Sequence, residues 1–171
     1  MSCTGCHRCF SNIAGSGVLI ITDSNTFAGK HDVVLFRDNT GTFNDAGGKS
    51  EGLPSLQTAS KELYEESRTT LSVPENVLCG TKYIDIGKSR KHIYRCYILY
   101  IPKVSCASFY HVDTRGMSHC YLETTQMTRF PIPIIQDMLQ ERHLYDYLVD
   151  DKNRQLPLGS RARDVLTKLF V

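Results

Sequence analysis

Gly47-Gly48-Lys49-Ser50-Glu51, followed after a short loop by Lys61-Glu62-Leu63-Tyr64-Glu65-Glu66, constrains this chain more than any other stretch. A glycine turn leads into a helix, and Glu62, Glu65 and Glu66 stand at i, i+3 and i+4, within an arc of roughly 100°. Leu56, Ala59 and Leu63 gather on a different flank, so the spacing predicts one core face and one acidic face. Like charges so placed repel by roughly 0.2–0.5 kcal/mol per pair when exposed. A hard divalent cation would turn that repulsion into ligation, and donors that are all oxygen favour magnesium or manganese over zinc. The plainer alternative is an amphipathic surface helix whose acidic flank is merely solvated.

Around this helix the chain resembles the Nudix box. That motif is a glycine, five residues, Glu, seven residues, then Arg-Glu-aliphatic-x-Glu-Glu-x-Gly-aliphatic. The resemblance runs from Gly47 to Thr69 and retains Gly47, Glu62, Leu63, Glu65 and Glu66; Ala59 with Lys61-Glu62-Leu63 also matches the usual Ala-x-Arg-Glu-Leu. Three positions depart: Leu53 stands for the first Glu, Lys61 for Arg and Arg68 for the late Gly. One residue is missing before the helix, at Gly52-Leu53-Pro54, where a loop can absorb it. In the family the first Glu and the Arg brace the loop. Leu53 has no carboxylate and Lys61 lacks a planar fork, which leaves Glu51 as another partner for the brace. Loss of the late glycine removes an easy stop, so the helix is expected to run a few residues further.

The resemblance implies an α/β fold, a Nudix-like α/β/α sandwich with a mixed β-sheet. It implies hydrolysis of a phosphoanhydride in a nucleoside diphosphate linked to another group. Mg2+ or Mn2+ would be held by Glu62, Glu65 and Glu66 with the Gly47 carbonyl. Glu65, Glu66 and Glu123 are the expected catalytic carboxylates, Glu123 as general base or outer metal ligand, or else a lone surface group. Lys49 contacts phosphate or shapes its loop. The alternative is a Nudix-fold module that binds a nucleotide or partner with little turnover, which Leu53 and Lys61 favour and the three retained Glu oppose. Lys88, Arg90, Lys91, His92 and Arg95 form the densest basic segment, between two predicted strands. It would suit a phosphate-rich small molecule such as a diphosphoinositol phosphate, or an RNA 5′ end, with nucleic acid entering only as capped RNA. The simpler reading is a solvated hairpin.

Apolar content of 41% with 22% charged residues is ordinary globular composition, and a net charge of +2 provides no global field for nucleic acid. No apolar run approaches a membrane span, and no basic-then-apolar start marks a secretory signal, so a cytoplasmic protein with no membrane contact is expected. Residues 1–12 read as a loose N-terminal segment and 13–171 as one Nudix-like domain. Cys3, Cys6 and Cys9 form a C-x-x-C-x-x-C cluster around His7. It could seat zinc if His7 or a distant cysteine completed four ligands; reduced thiols are the simpler reading.

Strands are expected at Gly17 to Thr22, in a hairpin from Val33 to Phe43, around Tyr83 to Ile86 and from His92 to Ile101. The box helix should start near Pro54 or Ser55, with Ser as a cap. Cys106 to Met117 reads as a long loop, and His119 to Thr124 as a short strand carrying Glu123. Helices are expected from about Ile134 to Tyr145 and from Ser160, as a cap, to Phe170.

Overall fold

Alternation along Val18-Leu19-Ile20 and Val33-Val34-Leu35-Phe36 sends successive apolar side chains to opposite faces, so these strands must be covered on both sides. The computed structural model describes residues 13–25, 29–87, 89, 92–140, 147–149 and 155–171. Strand β1 (Ile13–Asp23) is central. β2 (His31–Asp38) runs antiparallel to its C-terminal half, with Ile20 opposite Val34. Asp38 Oδ1 accepts from the Thr40 and Thr42 amides and closes the turn to β3 (Phe43–Asn44). β4 (Ala46–Lys49) then takes over the same edge of β1, placing Gly47 opposite Gly17.

Helices α1 (Ser55–Glu66) and α2 (Glu75–Cys79) follow, then β5 (Tyr83–Ile86) and β6 (Ile93–Tyr100). β6 is parallel to β1, with Val18 opposite Tyr97, and antiparallel to β5. After α3 (Cys106–Tyr110) and a 3-10 turn at His119–Tyr121, β7 (Thr124–Pro131) pairs antiparallel with β2. The chain goes on through α4 (Ile132–Gln140), β8 (Tyr147–Val149), β9 (Gln155–Pro157) and α5 (Ser160–Phe170). The main sheet is mixed, as expected, because β1 and β6 are parallel and its other pairs antiparallel.

Two apolar layers cover it. Leu19, Val33, Leu35 and Phe130 pack against Ile135 of α4 and Val165 and Leu166 of α5. On the other face, Val18, Ile20, Val34 and Phe36 meet Ala59 and Leu63 of α1 and Phe109 of α3. The architecture is an α/β/α sandwich. Among the described residues, no helix is long and apolar enough to cross a membrane.

Several local expectations are corrected. α1 ends at Glu66 instead of running on. Arg68 (φ 52°) and Thr69 (φ 68°) take the left-handed conformation that glycine would supply. Tertiary contacts hold the turn: the Arg68 guanidinium lies 4.2 Å from the Phe109 ring centre and donates to the Thr124 carbonyl at 3.0 Å. Ser55 is no cap; it is the first helical residue, its hydroxyl 2.7 Å from that of Ser16 and 2.9 Å from that of Tyr97. Ser160 likewise opens α5, and Gly159 occupies the cap position.

The stretch 106–117 includes α3, which Ser105 caps by accepting from the Ser108 amide. The strand expected from His119 to Thr124 is instead a 3-10 turn at His119–Tyr121, and β7 begins only at Thr124, so Glu123 precedes it. α4 starts at Ile132; residues 141–146 lie outside the described residues, as do 1–12 with Cys3, Cys6, His7 and Cys9.

Candidate active site

β4 reads Ala-Gly-Gly-Lys; Gly48 lets α1 lie close against the strand, and Gly47 makes room for Tyr94 on the other face. A Cβ on Gly48 would fall 2.5 Å from Glu62 Oε1, and one on Gly47 would overlap the Tyr94 hydroxyl. Leu63 and Ala59, both fully buried, fix the helix on its other flank. The acidic flank is thereby turned toward the glycine strand.

Glu62 is partly buried, and its carboxyl is pushed up to about 7, chiefly by loss of water and next by Glu65. Burial drives Glu66 well above the usual carboxylate range, although Arg161 and the Gly47 amide both favour its charged form. Glu66 and Gly47 line a cleft of about 190 Å³ with Asn44, Glu123, Thr124 and Arg161. Glu65 is mostly covered and lies 3.9 Å from Lys61, which also reaches Glu51 at 3.8 Å. Lys61 thus spans two carboxylates where Leu53 offers none, although so exposed a pair contributes at most about 1 kcal/mol.

The structure brings Gly47, Glu66 and Glu123 to one cleft and keeps Glu62 and Glu65 beside it on α1. Glu123 is half exposed and sits 3.0 Å from His119 Nδ1. Lys49 is exposed and lines a second cleft, of about 230 Å³, on the far side of Gly48, with His92, Tyr94 and Arg161. Arg95 joins neither cleft. Its fork is bonded to both Asp85 oxygens at 2.7 and 2.8 Å, over the Tyr83 ring. Lys88, Arg90 and Lys91 lie outside the described residues.

Sequence reasoning missed a buried partner of Arg161, the residue that lines both clefts. Asp45 is fully buried and accepts from Arg161 Nε at 2.9 Å and from the Tyr94 hydroxyl at 2.5 Å. The Cys96 thiol lies 3.4 Å from the same carboxylate; burial, then Asp45, pushes both Cys96 and Tyr94 well up. Nothing local in the sequence links position 45 to position 161. A charged residue beside a glycine strand was the only available hint.

Among the described residues, no group of three His, Cys, Asp or Glu side chains converges as a ready cage for an ion. The donor chemistry nevertheless suits a hard cation. Glu62 and Glu66 are short of water, a neighbouring carboxylate raises the proton affinity of each (Glu65 that of Glu62, Glu62 that of Glu66), and a divalent ion would relieve both costs.

No protein-family model matches the sequence, and no curated protein matches it. Solved structures do. An Ap4A hydrolase from C. elegans, in a binary complex, superposes with a TM-score of 0.52 at 12% identity, covering 91% of this chain and 94% of its own. A mutT/nudix family protein from Listeria innocua gives 0.54 at 17% identity, covering 94% and 92%. The NUDIX domain of Shewanella oneidensis NrtR, complexed with ADP ribose, gives 0.54 at 13%, covering 93% and 86%. With the mixed sheet, its two helical layers and the glycine strand against the acidic helix, these likenesses establish that the chain has the Nudix fold.

Proposed function

We propose that the protein is a Mg2+- or Mn2+-dependent pyrophosphohydrolase that cleaves a phosphoanhydride in a nucleoside diphosphate linked to another group. The observation that carries this reading is the pairing of Glu66 with the Gly47 amide inside a cleft that Glu123 also lines. Glu62, Glu65 and Glu66, with the Gly47 carbonyl, would hold the cation. When bound, it would supply charge for the phosphate oxygens and orient a water. The residues of the chain do the rest. α1 keeps Glu66 dry, the glycines admit substrate close to the backbone, and Arg161 offsets negative charge at the cleft wall. Glu123, half exposed and 3.0 Å from His119 Nδ1, would take a proton from water.

The Shewanella domain's ADP ribose and the worm enzyme's Ap4A make those two compounds the first substrates to try. A panel of ADP-ribose, dinucleoside polyphosphates, NADH, capped RNA and diphosphoinositol phosphates, each with Mg2+ or Mn2+, tests the proposal. Turnover of one of them, abolished by a chelator and restored by metal, is expected; turnover that survives exhaustive chelation defeats it. A second reading, a nucleotide-binding module without turnover, is favoured by the altered brace, in which Leu53 offers no carboxylate and Lys61 reaches Glu51 and Glu65 in place of an arginine fork. Tight binding of a panel member with no product at any metal concentration selects it.

A further inference from the structure

The two walls of the acidic cleft are held by different means. α1 is fixed by apolar packing through Ala59 and Leu63. β4 has an alanine, two glycines and an exposed lysine, which give it little side-chain purchase of its own. The residue just before it, Asp45, is held instead from 116 residues away. Arg161 Nε donates to Asp45 Oδ1 at 2.9 Å, and Nη2 donates to the Asp45 backbone carbonyl at 3.0 Å. The guanidinium also lies 4.7 Å from the centre of the Tyr94 ring, whose hydroxyl donates to Asp45 Oδ2.

We infer that Arg161 of α5 is a positioning residue for the cleft: by gripping both the side chain and the backbone of Asp45, it fixes the strand that presents Gly47 to Glu66 and Gly48 to Glu62. The inference rests on the metal-dependent reading of that cleft. A planar fork can make two directed bonds at once; a lysine ammonium in its place supplies the charge without that geometry. Positioning and charge compensation therefore separate experimentally.

Arg161→Lys and Arg161→Gln are compared with the unaltered protein and with Arg115→Gln, an exposed residue paired, among the described residues, with its neighbour Asp113. Mn2+ affinity is read from the electron paramagnetic resonance of free Mn2+, and kcat and KM from the best substrate of the panel. Both Arg161 variants should bind Mn2+ at least about threefold more weakly and lose about tenfold or more in kcat, with KM within about twofold. Arg115→Gln should change neither. Full Mn2+ affinity and kcat in Arg161→Lys would overturn the inference, because charge alone would suffice. Tighter Mn2+ binding in Arg161→Gln would overturn it too, making Arg161 only a competitor of the cation. A raised KM with kcat intact would make Arg161 a substrate contact instead. If Arg161→Gln fails to fold, Arg161→Lys still decides. Mn2+ binding without turnover of any substrate defeats the hydrolase reading and leaves the Mn2+ measurement to judge Arg161; no Mn2+ binding by the unaltered protein defeats both.

Discussion

Arg95 and Arg161 are built alike and placed differently. Each donates to an aspartate from a neighbouring element, Arg95 to Asp85 and Arg161 to Asp45, and each lies over a tyrosine, Tyr83 or Tyr94. α5 even reaches both aspartate carbonyls, through Lys168 to Asp85 and Arg161 to Asp45. Arg95 ties β5 to β6 at the sheet edge and lines no described cleft; Arg161 stands between two. The same local chemistry staples an edge in one place and borders buried carboxylates in the other. What lies beyond the ion pair, not the pair itself, sets its role.

The largest expected contrast is between the cleft and that staple. Glu66→Gln should keep the fold and lower turnover by about a hundredfold or more, since a charge leaves the proposed metal site. Unchanged turnover would reduce the acidic flank to a solvated face. Arg95→Gln should do the reverse, costing about 2 kcal/mol in denaturant unfolding while kcat/KM stays within about twofold. A large loss of turnover there would erase the distinction between the two arginines.

Glu123→Gln comes next, with turnover down about tenfold and KM little changed. Recovery at high magnesium would make Glu123 an outer metal ligand; wild-type kinetics at every metal concentration would remove it from the site. The smallest effect is on stability. Glu62 binds its proton more tightly in the folded chain, up to about 7, than at its ordinary 4.5. Between those values the folded state carries more protons than the unfolded one. The contribution of Glu62 therefore favours folding below 4.5 and is lost as pH rises toward about 7. If Mn2+ takes the place of the proton, as proposed, it should raise the melting temperature more at about pH 7.5 than at about pH 5. Equal shifts at both pH values would place the ion elsewhere.

The parts of this molecule written in local spacing were legible. Glu62, Glu65 and Glu66 share a face because of helical period, and Val33 to Phe43 folds back at Asp38 as its turn residues require. β7 was not legible: Thr-Thr-Gln-Met-Thr-Arg-Phe-Pro alternates weakly and ends in proline, and pairing along β2 fixes it. The end of α1 was misread because the left-handed turn is met by Arg68 and Thr69, held through Phe109 and Thr124. Arg95, counted with the basic segment, turns out to have a cross-strand carboxylate, which a count of charges does not reveal. The Asp45–Arg161 bond was invisible for a plainer reason, since no periodicity spans 116 residues.

That long separation also bears on the order of assembly. α1 and the hairpin involve segments close in sequence, and the β1–β4 pairing spans far less chain than the Asp45–Arg161 bond, so these can form earlier than contacts across that span. During synthesis the glycine strand emerges long before the helix that grips it, so a nascent chain can display the acidic helix and its strand without the Asp45 anchor. On this ordering, the docking of α5 is the event that matures the cleft.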